Sequence, residues 1–196
     1  MILLNENHQI AKGSERLCYL HPQDSSKIIK TIYHKLGTVD QNIIEYNYYK
    51  ELNRQNIAYT HIPKCYGFVT TNKGTGLIFD NITNYDGTPA ITIRNAIANQ
   101  EITYEEIRAS DLLNDLKSYL EKNKILFRDA TTVNVLYVQI APNTHRLIII
   151  DGLGPRRENF KIILYKYCPF YLLYKIKKQW KVFLYNLHRL KVQTLQ

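Results

Sequence analysis

The sequence lacks the marks of a secreted, membrane-spanning or metal-stapled chain. It has 3 cysteines, Cys18, Cys65 and Cys168, an odd number, far apart and in no metal-type pair. That usage argues against a disulfide framework and fits a reduced, cytosolic setting. No run of about 18 uncharged apolar residues occurs, so a membrane-spanning helix is not expected. The N-terminus has no basic region followed by a long apolar stretch, so no signal peptide is expected. Internal repeats and low-complexity linkers are missing too. Glycine is scarce at one telling place: the first turn, Lys12-Gly13-Ser14-Glu15, holds a single glycine.

What is present is globular. Hydrophobic residues make up 45% and charged residues 22% of the 196, enough for one full core and a prior of one domain, with room for two lobes. The net charge of +9 is unevenly placed. Residues 1–154 hold 16 Lys+Arg and 16 Asp+Glu, whereas residues 155–196 hold 10 Lys+Arg against Glu158 alone. Nine of the 23 aromatic residues lie in that same tail. The chain reads as a neutral body with a basic, aromatic C-terminal segment.

Residues 2–10 predict a first strand, Arg16-Leu17-Cys18-Tyr19-Leu20 a second and the β-branched stretch 27–32 a third. Thr38-Val39-Asp40-Gln41 has the form of a capping box and predicts a helix to about residue 54. Two apolar runs around Asn72-Lys73-Gly74 predict a β-hairpin. The first 80 residues thus read β-β-β-α-β-β. After them the pattern turns helical. A short helix is expected over 92–99, and a second capping box, Thr103-Tyr104-Glu105-Glu106, opens a helix that carries Ile107, Ala109, Leu113, Leu116 and Leu120 toward a core and ends near Asn123. Strands are expected at 135–138 and 147–150.

The residues with chemistry fall in a telling order. Asp129 is followed five residues later by Asn134, and Asp151-Gly152 closes the strand over 147–150. Kinase-type enzymes order their base and metal ligands this way, because phosphoryl transfer needs a carboxylate to orient the attacking hydroxyl and oxygen ligands for Mg²⁺. Ahead of them stand Gly13, which would let backbone approach phosphates, Lys30 at the end of the third strand, and Glu45 on the following helix, with Glu51 in reserve. The ordinary reading of each alone is plainer: a strand-end Lys and a helix Glu are usually solvated, and Asp-Gly is first of all a turn. The order gives them meaning: Asp129 as base, Asn134 and Asp151 as Mg²⁺ ligands, and Gly13, Lys30 and Glu45 on the nucleotide. Arg16 is a further phosphate-contact candidate, and Tyr19 reads as part of a polar, exposed strand face. The fold expected is α+β: a compact, protein-kinase-like two-lobe chain, with an antiparallel-sheet lobe over 1–82, a mostly helical lobe over 83–160 and a basic helical tail over 161–196.

The departures matter as much. Phe127 stands where a protein kinase has His before Arg-Asp, Gly152-Leu153 replaces Phe-Gly, and no Ala-Pro-Glu follows. With about 45 residues after Asp151, a helical lobe for a protein substrate is not expected. A small-molecule, sugar or lipid-sugar acceptor fits better.

Several strings resemble a named family. Gly13-Ser14-Glu15-Arg16-Leu17-Cys18-Tyr19-Leu20-His21-Pro22, Ile29-Lys30, Glu45-Tyr46-x-Tyr48-Tyr49, Thr71-Asn72-x-Gly74-x-Gly76-Leu77 and Ile150-Asp151-Gly152-Leu153-Gly154 are similar to the bacterial PhoP regulatory network protein YrbL family. The resemblance covers roughly residues 3–160. It implies a kinase-like fold in a bacterial cytoplasm and a place in a regulatory circuit connected with magnesium and envelope stress. It supplies no substrate. More distantly, the chain is similar to lipopolysaccharide core kinases.

The tail has its own pattern. After Cys168-Pro169, residues Leu173, Ile176, Trp180, Phe183, Leu187 and Leu190 recur at steps of 3, 4, 3, 4 and 3, a single apolar stripe with the lysines off it. The stripe could dock on the body, lie on an anionic membrane surface over 169–192 with Trp180 and the tyrosines at the interface, or form a helix–helix seam. No nucleic-acid reading motif is present, so no specific nucleic acid is expected. Two functions stay open: an ATP/Mg²⁺-dependent phosphotransferase on a non-protein hydroxyl, and a nucleotide-binding pseudokinase that works by binding a partner. A membrane-surface adaptor driven by the tail is a third.

Overall fold

The computed structural model describes residues 1–34, 40–155 and 169–193. The chain divides into two units, one of Met1–Tyr59 with Pro63–Ile82, the other of Thr60–Ile62 with Thr83–Gln196. The fold is α+β and protein-kinase-like.

The first unit is a five-stranded antiparallel sheet in the order β1-β2-β3-β5-β4, built from β1 (Gln9–Lys12), β2 (Arg16–His21), β3 (Asp24–Ile32), β4 (Cys65–Thr71) and β5 (Gly74–Asp80). Helix α1 (Gln41–Arg54) follows β3. Its N-cap is Asp40, whose side chain accepts the Asn42 amide at 2.8 Å; Thr38 lies outside the described residues. The helix buries Ile44, Tyr49 and Leu52, and the Tyr49 ring meets Phe79 of β5 edge-on at 5.3 Å.

Two expectations for this unit change. Residues 2–10 do not form one strand, because Asn5 and His8 cap each other around a short 3-10 turn, and β1 starts only at Gln9. Tyr19 is 3% exposed and sits in a core cluster with Leu4 and Ile29, so it is neither a nucleotide contact nor an exposed polar residue. The Thr71-Asn72-x-Gly74-x-Gly76 string is structural. The Asn72 side chain accepts from the Leu4 amide at 2.7 Å and donates to its carbonyl at 3.0 Å, pinning the N-terminal segment. At Gly76 a Cβ would lie 2.4 Å from Ile29 Cγ2, so only glycine lets the strands close there.

In the second unit, β6 (Ile91–Thr92), β7 (Val135–Ala141) and β8 (Thr144–Ile149) form a small antiparallel sheet. Helix α2 (Ile93–Ala98) is capped by Thr92. The Thr103–Glu106 capping box is present, but the helix it opens is α3 (Tyr104–Ala109) only, and α4 (Leu112–Lys122) is separate. The single helix expected there breaks at Ser110, which turns extended and donates its hydroxyl to the Ile107 carbonyl at 2.9 Å. Ile107, Leu113, Leu116 and Leu120 are buried as their spacing implies, whereas Ala109 is exposed.

The tail forms α5 (Pro169–Gln193). Ile176, Trp180, Phe183, Leu187 and Leu190 are 7% exposed or less, so the stripe packs into the unit's own core. Trp180 therefore has no place at a lipid interface, and the helix does not use its apolar stripe for one. No helix among the described residues is long and apolar enough to cross a membrane.

Phe183 is fully buried between Phe127 and Trp180, with ring centroids at 5.7 and 5.3 Å. Phe183→Ala is expected to cost about 3–5 kcal/mol in urea unfolding, whereas Tyr185→Ala, at a side chain 62% exposed on the outer face, should stay within about 0.5 kcal/mol. A second expectation concerns pH. His61 is 8% exposed, donates Nδ1–H to the Leu147 carbonyl at 2.8 Å and lies 4.9 Å from the Tyr119 ring. Burial pulls its pKa below the ordinary histidine value, and His145 shifts the same way for the same reason. The unfolded chain then takes up protons more readily than the folded one. Stability should be full above about pH 6.5 and decline as pH falls below it. Unfolding free energies measured at pH 7.5 and 5.5 check this, with a shallower decline expected for His61→Gln.

Candidate active site

The site residues come in two groups, one in each unit. In the first, β3 alternates faces, and Lys30 pairs in register with Cys18 on β2 and Leu77 on β5. Its side chain is 8% exposed, with Nζ 3.6 Å from Glu45 Oε1 and 4.5 Å from the Phe79 ring centroid. The Glu45 carboxylate, 3% exposed, takes the Arg16 guanidinium on its other oxygen, Oε2. Arg16 Nη1 also donates to Asn42 Oδ1 at 3.3 Å, and Asn42 Nδ2 donates to the Lys30 carbonyl at 2.9 Å. One buried carboxylate thus serves two cations, from adjacent strands, and a buried amide ties helix to strand.

The structure brings Lys30 and Glu45 together. Glu51, the reserve, makes an exposed pair with Arg54 at 3.1 Å instead. Arg16 faces Glu45 and Asn42, a placement that the reading of it as a phosphate contact missed. The signal for Asn42 was in the sequence: it precedes Glu45 by three residues, the spacing that shares a helix face. Gly13 differs from expectation. Its amide donates to the Arg16 carbonyl at 2.8 Å, closing the β1–β2 turn, and a Cβ there would meet nothing nearer than 3.5 Å. The Tyr33 hydroxyl donates to the Gly13 and Ser14 carbonyls at 2.9 and 3.1 Å. The turn is tied down by a tyrosine, and its one glycine is not demanded by conformation.

The second group is built around Gly152. Its carbonyl accepts from the Arg128 and Asp129 amides at 2.9 and 3.0 Å, and Leu153 bridges to Phe127. Gly152 has φ +79, and a Cβ would fall 2.6 Å from Asp129 Cβ and 3.1 Å from Asn134 Nδ2. Only glycine permits that approach. Asn134 closes a 3-10 turn (Thr132–Asn134) and donates Nδ2 to Asp129 Oδ2 at 2.9 Å and to the Asp129 carbonyl at 3.0 Å. Its own carbonyl takes the Ile150 amide at 2.9 Å. Asp151 Oδ1 accepts the Gly152 amide at 2.7 Å. Asp129, Asn134 and Asp151 therefore belong to one hydrogen-bonded knot, with Asp129 exposed to solvent.

That knot suits a hard cation chemically. Asn134 commits its Nδ2 to Asp129, which leaves the amide oxygen as the atom a metal would take, and Asp151 adds a carboxylate. Mg²⁺ is held by few protein oxygens of this kind together with substrate phosphates. Among the described residues no cluster of three or more His, Cys, Asp or Glu forms an all-protein metal cage.

Behind the knot lies α5. Phe127, in the place of the kinase His, is 2% exposed and packs on Phe183, while Asn186 Nδ2 donates to the Ala130 carbonyl at 2.8 Å. The loop bearing Asp129 is backed by an apolar contact and one amide.

A five-stranded antiparallel sheet with a buried Lys–Glu pair, and a second unit with an Asp…Asn…Asp-Gly hairpin, define the protein-kinase-like class. Crystal structures of the kinase domain of Mycobacterium tuberculosis PknI, as the domain itself and as a double mutant, share the fold with TM-scores of 0.52 and 0.53 at 14% identity. The match covers 74% of this chain but only 57% and 56% of theirs, so the chain spans little more than half of each kinase domain. The family is closer. The chain belongs to the PhoP regulatory network protein YrbL family, whose model matches residues 2–188. The proteins named "Uncharacterized protein YrbL" in Escherichia coli (strain K12) and Shigella flexneri are each 33% identical over 187 residues, covering 94% of this chain and 87% of the relative. The family match runs well past residue 160, where the resemblance seen in sequence stopped, and takes in most of α5.

The shared carboxylate sets an expectation for stability. Glu45→Ala leaves two cations buried without it and should cost about 3–5 kcal/mol. Glu51→Ala, which breaks only an exposed pair, should stay within about 0.5 kcal/mol. Denaturant unfolding of the two variants makes the comparison.

Proposed function

We propose that the protein is an ATP- and Mg²⁺-dependent phosphotransferase whose acceptor is a non-protein hydroxyl, on a sugar or lipid-linked sugar, acting in the bacterial cytoplasm in PhoP-linked envelope physiology. The observation that carries this is the knot at Gly152, which holds a solvent-facing carboxylate, an amide oxygen and a second carboxylate in the order that phosphoryl transfer uses. A scaffold has no need of a base at Asp129.

Lys30 neutralises nucleotide phosphate charge and is positioned by Glu45. Asp129 accepts the acceptor's hydroxyl proton as that oxygen forms its bond to the γ-phosphorus, and the bond from phosphorus to the bridging oxygen breaks to release ADP. Asn134 and Asp151 would hold Mg²⁺, which neutralises charge developing on the phosphoryl oxygens. The missing Ala-Pro-Glu supports an acceptor other than protein.

A second reading rests on the first turn. The Gly13 amide is engaged within the turn, and the glycines that wrap phosphates in ordinary protein kinases are missing. A nucleotide-binding pseudokinase, regulating a partner by its bound state, would tolerate that.

Thermal unfolding with ATP, with and without Mg²⁺, tests both. Saturation at about 100 times Kd adds about 2.7 kcal/mol to the folded state. The wild type should be stabilised by ATP with Mg²⁺, Asp151→Asn should lose that gain, and Asp129→Ala should keep it while losing Mg²⁺-dependent ATP turnover. Stabilisation without turnover in the wild type selects the pseudokinase, and no stabilisation at millimolar ATP overturns both readings.

A further inference from the structure

The outward face of α5 is left uncovered by the described residues of its own unit, and its composition selects a partner. With the apolar stripe buried, the opposite side carries Phe170, Tyr174 and Tyr185 at 82%, 58% and 62% exposure. Lys177, Lys178, Lys181 and Arg189 are exposed alongside them. Positions 170, 174, 177, 178, 181, 185 and 189 follow the spacing of one helical face. From first to last they span ~28 Å at about 1.5 Å per residue. The helix has six basic residues and no acid. Lys191 pairs with Glu105 at 2.5 Å and Lys175 lies over Tyr171 at 5.3 Å, but Lys177, Lys178, Lys181 and Arg189 have no ion pair among the described residues.

Three occupants differ in what they require. A second copy would set one acid-free basic face against another. Single-stranded nucleic acid is held in grooves that track its backbone, whereas this is the convex side of one helix. An anionic lipid surface asks for cations in the headgroup plane with aromatic rings at the acyl boundary, and both are present on one line.

We propose that this outward face of α5 docks the protein reversibly on an anionic phospholipid surface. The apolar stripe stays folded into the unit, and Phe170, Tyr174 and Tyr185 make the shallow contacts. Docking does not depend on the phosphotransferase reading, since Asp129, Asn134 and Asp151 take no part in it.

Sedimentation of the full chain with vesicles tests this. Binding is expected to phosphatidylcholine vesicles containing about 30 mol % phosphatidylglycerol, and not to phosphatidylcholine alone. It should be reversed by about 0.5 M NaCl, where charges are screened within a few ångströms. A triple variant, Lys177→Gln with Lys178→Gln and Lys181→Gln, should lose on the order of 100-fold in partitioning, and Phe170→Ser with Tyr174→Ser should also weaken it. These side chains are exposed, so unchanged thermal unfolding of the variants separates docking from folding. Trp180, the sole tryptophan, should remain unquenched by lipids brominated deep in the acyl chains, since the stripe does not insert. Quenching of Trp180, equal binding by the triple variant, binding to neutral vesicles alone, absence of binding, or displacement from anionic vesicles by equimolar single-stranded RNA would each overturn the proposal. Asp151→Asn should bind vesicles like the wild type, so failure here and failure of the nucleotide reading are told apart.

Discussion

The backbone of Gly152 fills space that a side chain would need, and the candidate active site depends on that contact. Its carbonyl holds the amides of Arg128 and Asp129, and its α-carbon sits against Asp129 and Asn134. Because main chain meets main chain, the loop bearing Asp129 and the strand end bearing Asp151 are spaced by covalent geometry and two backbone hydrogen bonds. Long side chains, with rotamers to lose, play little part. Leu153, 4% exposed and bridged to Phe127, makes the next residue a packing element. Where a protein kinase has Phe-Gly, this chain therefore has a glycine in close contact with the Asp129 loop and a buried leucine after it.

The sheet unit solves a different problem. Three charged side chains, all under a tenth exposed, share one place. Burying charge is tolerable only when geometry and extra hydrogen bonds compensate the lost water. Glu45 meets that condition by bonding to neighbours on both β2 and β3, and Asn42 meets it by joining Arg16 to the Lys30 carbonyl. The helix is thereby fixed to the sheet by polar contacts as well as by Ile44, Tyr49 and Leu52.

Much of this was legible in the chain. The succession of elements in the first 80 residues, the hairpin around Asn72, the Thr103 capping box and the apolar stripe of α5 follow from periodicity and turn chemistry, which are local, whereas what that stripe packs against was open among body, membrane and a second helix. The order of Lys30, Glu45, Asp129, Asn134 and Asp151 was visible for the same reason. What escaped is decided at a distance. Arg16 looked like any strand-start cation, because nothing local says that a helix 29 residues on will offer it a carboxylate. Tyr19 looked polar because its burial comes from Leu4 and Ile29, on other parts of the chain. The break at Ser110 was hidden by apolar spacing that runs through it unchanged. Phe127 looked like a defect until Phe183 was found against it.

That last pair bears on the order in which the molecule is made. Ala130 and Asn186 are 56 residues apart, and the aromatic contact between Phe127 and Phe183 spans a similar gap. A ribosome delivers the base-bearing loop and the Gly152 hairpin first, and the helix that backs them only later. Until α5 arrives, the Ala130 carbonyl lacks its amide and Phe127 lacks its aromatic cover. Translation itself thus acts as a timer: the second unit acquires its chemical residues early and their rigidity last.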